Sequence, residues 1–200
     1  MIKFFFAVLL TIISLGVSAG SIVVLGDSIS AGYGIDVDRG WVRLLQKKLN
    51  QQNHSYIVYN ESISGDTSAG GLARIDRALR DYKPAIVLLE LGANDGLRGL
   101  SPKRMKANLA EIIRRCRRND ARVLLLPMRI PPNYGKRYVD MFYRVYPQLA
   151  AELNIPFVPF ILQEVALQKP LMQKDGLHPN ELAQPIIAEK IWKYLQPMLN

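Results

Sequence analysis

Three short runs of this chain, residues 21–26, 85–91 and 123–127, are apolar almost without interruption, the one charge inside them being Glu90. A strand that is apolar on both faces has to be covered on both faces, which is the signature of a parallel sheet sandwiched by helices. The intervening sequence supplies helices of that kind. Residues 40–52 place Trp41, Leu44, Leu45 and Leu49 on one face, and residues 69–82 do the same with Leu72, Ile75 and Leu79. Residues 102–118 follow the same rule: Met105, Leu109, Ile112, Ile113 and Cys116 share a face, with Arg114, Arg115, Arg117 and Arg118 mostly off it. Further helices are predicted over 137–153 and 183–196, the last adjusted around Pro185, and further short strands over 56–59 and 156–158.

Five strands alternating with helices predict an α/β fold: a three-layer, flavodoxin-like arrangement around a five-stranded parallel sheet. In such sheets ligands bind in the crevice at the carboxyl ends of the strands. No repeat, low-complexity tract or linker divides the chain, so a single domain over residues 20–200 is expected.

Residues 1–19 read differently. Met1-Ile2-Lys3 is a short positive region, residues 4–15 are apolar, and Val17-Ser18-Ala19 offers small side chains where a signal peptidase reads them. This pattern predicts a secretory signal peptide over 1–19, cleaved after Ala19, with the mature protein periplasmic or secreted. The alternative is a retained anchor, although the run is short of the about 20 apolar residues a spanning helix needs. No cysteine is placed for lipid attachment. The sole cysteine, Cys116, allows neither an internal disulfide nor a cysteine metal cage, and it falls on the apolar helix face, where it reads as core.

The 26 Lys and Arg outnumber the 17 Asp and Glu by nine. Such a surface favours acidic partners, phospholipid headgroups among them, so a transient membrane-surface contact is compatible with it. The basic residues are not interleaved with aromatics as in nucleic-acid readers, and no nucleic-acid partner is expected. Only His54 and His178 are available for histidine chemistry. His54 lies in a polar helix-to-strand connection and reads as an exposed bystander.

Four short motifs fall at the predicted strand ends. Gly26-Asp27-Ser28-Ile29 places a serine after the first strand, either as a nucleophile or as a helix cap. Ser64-Gly65-Asp66 follows the second strand, where Gly65 either offers its backbone N–H to a ligand or makes a turn. Gly92-Ala93-Asn94-Asp95 follows the third, with Asn94 as an amide donor or a cap. Asp175-Gly176-Leu177-His178 puts an acid three residues before a histidine. A carboxylate at that separation on a turn can orient an imidazole, which can then take a serine proton. Each motif has an ordinary structural explanation on its own; the set, in order and at successive loops, favours chemistry.

With these four blocks the chain resembles the SGNH, or GDSL, hydrolase family, and within it the group of multifunctional acyl-CoA thioesterases, arylesterases and lysophospholipases. Isoleucine stands at position 29 in place of the name-giving leucine. The stretches Gly65-Asp66-Thr67-Ser68, Asn94-Asp95-Gly96-Leu97-Arg98-Gly99 and Pro132-Asn133-Tyr134-Gly135 carry the likeness to that group. The resemblance implies Ser28 as nucleophile, His178 as general base and then acid, and Asp175 as orienting carboxylate. It implies an oxyanion hole made by the backbone N–H groups of Ser28 and Gly65 and the side-chain amide of Asn94. Asp27, Asp66 and Asp95 are then structural. No metal or organic cofactor is implied. The loop from Gly96 to Leu100 and the segment from Ile130 to Tyr134 are the expected walls for an acyl chain, with Leu97, Leu100, Ile130 and Pro131 as substrate contacts. A monomer acting on acyl thioesters, aryl esters or lysophospholipids is the expectation. A carbohydrate O-acetyl esterase and a non-catalytic lipid-binding protein on the same scaffold are the alternatives.

Overall fold

A computed structural model describes residues 19–199. The predicted signal segment lies almost wholly outside the described residues. Four parallel strands form the sheet: β1 (Gly20–Gly26), β2 (Tyr56–Asn60), β3 (Ile86–Glu90) and β4 (Arg122–Leu125), in the order β2-β1-β3-β4. Ile22 pairs with Val58 on one side and Ile86 on the other, and Ile86 pairs onward with Arg122. β3 is buried at every residue, as expected of a central strand covered above and below.

The predicted fifth strand is not a strand. Residues 156–158 make only one parallel bridge, Phe157 to Leu125, held by Leu125 N–H to Pro156 O at 3.1 Å and Val158 N–H to Leu125 O at 2.9 Å. The reason is in the sequence: Pro156 and Pro159 bracket the segment, and neither has an N–H to extend a ladder.

Seven helices are described: α1 (Ser28–Ala31), α2 (Trp41–Gln51), α3 (Ser68–Tyr82), α4 (Ala93–Leu97), α5 (Pro102–Arg118), α6 (Lys136–Leu153) and α7 (Gln184–Leu195). α2 packs on α7 and β2, while α3 packs on α5 and β1, and α5 in turn on α6 and β4. The faces are those the periodicity predicted: Trp41, Leu45 and Leu49 from α2, Ile75 and Leu79 from α3, and Met105, Leu109, Ile112, Ile113 and Cys116 from α5 are all buried. Burial pushes the Cys116 thiol up to about 12, so it stays neutral packing. Pro185 sits in the first turn of α7, where a missing N–H breaks no helical bond. Among the described residues, no helix is long and apolar enough to cross a membrane.

Candidate active site

The loops at the carboxyl ends of β1, β2 and β3 meet the segment before α7. β1 stops at Gly26, and Asp27 caps α1 by accepting from Ile29 N–H at 3.1 Å. This places Ser28 on the first turn of a very short helix with its hydroxyl facing the chain's other end. There, Asp175 folds a tight turn: its Oδ1 accepts the backbone N–H of Leu177 at 2.9 Å and of His178 at 3.0 Å. That leaves Oδ2 to meet His178 Nδ1 at 2.7 Å, and His178 Nε2 lies 2.9 Å from Ser28 Oγ.

The electrostatics fix the direction of this chain of bonds. Partial burial raises the pKa of Asp175, but the hydrogen bonds from His178 and Leu177 outweigh it and hold the carboxyl down to about 2. An ionised carboxylate only accepts, so Nδ1 carries a hydrogen, and the tautomer with its hydrogen there presents the Nε2 lone pair to the serine hydroxyl. The Tyr33 ring lies against the imidazole, centroids 4.6 Å apart. Gln173 ties the two loops together. Its backbone N–H donates to His178 O at 2.8 Å, and its Nε2 donates to Tyr33 O at 2.7 Å and Pro179 O at 3.1 Å. No sequence signal pointed to Gln173.

The glycine and asparagine motifs converge on the same place. Gly65 has φ +81°, a conformation that side chains resist, and its carbonyl accepts from Arg98 Nη2 at 2.8 Å. Among the described residues, neither the Ser28 nor the Gly65 backbone N–H has a protein acceptor. Asn94 stands on the first turn of α4, entered through Gly92 at φ +120°, where a Cβ would strike the Tyr146 hydroxyl. Its Nδ2 donates to Asp27 Oδ2 at 3.2 Å and to Asp66 O at 3.0 Å. Asn94 thus touches the neighbour of Ser28 and the neighbour of Gly65.

Asp66 and Asp95 hold loops. Asp66 accepts from Thr67 N–H at 2.9 Å and pairs with Arg74 at 2.8 Å. Asp95 accepts from Ser68 N–H at 2.8 Å and Ser68 Oγ at 2.5 Å. Among the described residues, no three His, Cys, Asp or Glu side chains gather as a metal would need. His54 is far from solvent-bathed: it is half-buried, edge-on to Trp192 with centroids 5.9 Å apart, which corrects the exposed reading.

The two expected walls are joined. Tyr134 Oη donates to Leu97 O at 3.0 Å, and Tyr138 Oη donates to Leu100 O at 2.9 Å. Leu97 is half-buried and Leu100 is 44% exposed, but Ile130 is only 4% exposed. A Cβ on Gly96 would run into Ile130 and Phe142, so the Ile130 side chain packs beneath the Gly96 loop and is not on the surface as a wall contact would be. Pro131 beside it is half-buried.

A hydroxyl, an imidazole and a carboxylate bonded in series at the mouth of a parallel α/β sheet form the apparatus of hydrolases that work through a serine ester. The comparisons with known proteins agree with that class. The profile of the GDSL-like Lipase/Acylhydrolase family matches residues 24–184, and the chain belongs to that family. It is 50% identical to Esterase TesA of Pseudomonas aeruginosa over 182 residues, 91% of this chain and 90% of that protein. It is 44% identical to Thioesterase 1/protease 1/lysophospholipase L1 of Escherichia coli K12 over 199 residues, covering 93% of that protein. The fold also matches the crystal structure of the psychrotrophic esterase EstA from Pseudoalteromonas sp., inhibited by monoethylphosphonate. There the TM-score is 0.86 and the identity 41%, with 90% of this chain and 98% of that one covered.

Proposed function

We propose that this protein is an exported serine esterase and thioesterase, acting on acyl thioesters, carboxylic esters and lysophospholipids. The observation that carries the reading is the unbroken series Asp175–His178–Ser28, with links of 2.7 and 2.9 Å. The names of the relatives, esterase and thioesterase/lysophospholipase, support the substrate class.

In this mechanism Ser28 Oγ attacks the acyl carbonyl carbon while His178 Nε2 takes its proton. The carbonyl oxygen becomes an oxyanion, bound by Ser28 N–H, Gly65 N–H and the Asn94 amide. To donate, Asn94 gives up one of its two present acceptors, Asp27 or the Asp66 carbonyl. The imidazolium, stabilised by Asp175, returns its proton to the leaving thiolate or alkoxide, and the acyl group stays on Ser28. Water then attacks the acyl-enzyme, its proton passing to Nε2 and on to Ser28 Oγ as the acid departs. Leu97, Leu100 and Pro131 flank the acyl chain, with Ile130 supporting them from below. The helical groups on the two faces of the sheet support a three-layer arrangement whose layers leave this mouth open. The enzyme acts as a monomer and touches membrane surfaces only in passing.

A ladder of p-nitrophenyl and thioester substrates of increasing acyl length, run beside lysophospholipids with Ser28→Ala as control, tests this. Activity on medium and long chains is expected. Activity confined to acetyl esters would replace the reading with an O-acetyl esterase.

Export has its own test. β1 begins at Gly20, the first residue after the predicted cut, and Gly20 N donates to Ser55 O at 2.8 Å, a bond that a new amino terminus retains. Edman sequencing of the exported protein is expected to start at Gly20. A chain starting at Met1 in the membrane pellet would make the segment an anchor.

A further inference from the structure

The mechanism makes no use of Glu90, the single charged residue in the predicted apolar strand. It ends β3, is fully buried, and sits under the nucleophile turn. Its Oε2 accepts from Ser30 Oγ at 2.6 Å and from Asp27 N–H at 3.2 Å. Its Oε1 is buried with no protein donor. The Glu90 side chain is also hydrogen-bonded to the side chain of Asp27, which is itself fully buried. On a carboxyl group hydrogen-bonded to a second carboxyl group, the buried oxygen with no donor is the one placed to carry a hydrogen.

No cation pairs with either group, although a charge on His178 pulls the Asp27 carboxyl down. Among the described residues neither carboxyl group has an ion-pair partner, and Arg74, which reaches the Gly26 carbonyl at 3.2 Å, pairs with Asp66. The other ionisable groups nearby do not supply one either. Tyr146 donates to Leu91 O, Asp95 is held by Ser68, and His178 faces Ser28. Two buried anions in contact cannot both persist, so one proton is shared. The oxygens decide where it rests. Each carboxyl group accepts from two donors, but Asp27 has one on each oxygen, Ile29 N–H on Oδ1 and Asn94 Nδ2 on Oδ2, whereas both donors to Glu90 fall on Oε2, which leaves Glu90 Oε1 free to carry the hydrogen.

We propose that Glu90 is a positioning residue for the hydrolysis: as a neutral carboxyl group it donates its hydrogen from Oε1 to Asp27, and through Asp27 it fixes the amide of Asn94. The proposal rests on the oxyanion role given to Asn94 above. The titration directions agree. Burial, then the neighbouring Asp27 charge, push Glu90 well above the usual carboxylate range. Burial raises Asp27 only to about 6, because Ile29 N–H and Glu90 donate to it.

Glutamine reproduces a protonated glutamate, with an amide N–H toward Asp27 and an oxygen toward Ser30. Glu90→Gln is therefore expected to keep kcat within about threefold of the parent, because every hydrogen bond survives. Glu90→Leu removes the donor and is expected to lower kcat by roughly 10- to 100-fold with KM little changed, the scale of a misplaced catalytic group. Combined with Asn94→Ala, that loss is expected not to multiply, since both act through one amide. Infrared difference spectra of parent against Glu90→Gln at pH 7.5 are expected to show the carbonyl band of a protonated carboxyl group in the parent only. Absence of that band, or a Glu90→Gln enzyme as slow as Glu90→Leu, overturns the proposal. If Glu90→Leu does not fold, the band and the glutamine variant decide it. If the band is present but Asn94→Ala turns over normally, the oxyanion role fails and the neutral carboxyl stands.

Discussion

Ser28→Ala and His178→Ala are each expected to cut ester turnover by roughly 10⁴- to 10⁶-fold, and the double variant to be hardly worse than either alone. The hydroxyl and the imidazole share one proton across 2.9 Å, so removing either ends the same event. The folded state is expected to survive, because Ser28 stands at a loop mouth and the sheet and helix core do not depend on its hydroxyl. Steady-state kinetics with circular dichroism on each variant make the measurement. His54→Ala is the internal control: half-buried against Trp192 and away from Ser28, it is expected to leave kcat unchanged. A turnover near that of the parent in Ser28→Ala would remove the nucleophile.

The second large effect belongs to Asn94. Asn94→Ala is expected to lower kcat by about 10²–10³-fold, or roughly 3–4 kcal/mol, with KM nearly unchanged. The split follows from when the donor acts: the carbonyl oxygen becomes an anion only on the way to the tetrahedral intermediate. Asn94→Asp is expected to do at least as badly. A carboxylate there repels the oxyanion and also faces Asp27 Oδ2, 3.2 Å from the present amide nitrogen. Labelling of Ser28 by a fluorophosphonate is expected to slow in Asn94→Ala but to go to completion, since nucleophile and base remain. A folded Asn94→Ala enzyme within a few-fold of the parent would leave a plain triad with two backbone donors.

The parts of this molecule that were readable from sequence are those governed by periodicity or by short local motifs. A helix must show its apolar face every three to four residues, so the burial of Leu45, Ile75 and Ile112 could be read in advance. The Asp175 turn is likewise local, since the acid bonds to backbone two and three residues on. The failures have a common cause: they depend on what the rest of the chain brings to a position. Residues 156–158 are as apolar as a strand, but prolines at 156 and 159 deny it a ladder. Ile130 lies in a loop, where no period says which side chain turns inward, and it went under Gly96. Glu90 gave its signal as one acid in an apolar run. That signal became a role only when Ser30 and Asp27 arrived from 60 and 63 residues away.

The distance along the chain between the reacting groups also sets a schedule. Ser28 and His178 are 150 residues apart, and the segment carrying His178 is moored to the chain's beginning by Gln173 to Tyr33 and by Trp41 N–H to Gln184. A nascent chain that has not yet emerged as far as His178 has its serine but no imidazole beside it. The site is complete only once the carboxyl-terminal segment has docked on the first loop. Removing that segment is expected to abolish hydrolysis even while β1, β2 and β3 stay paired.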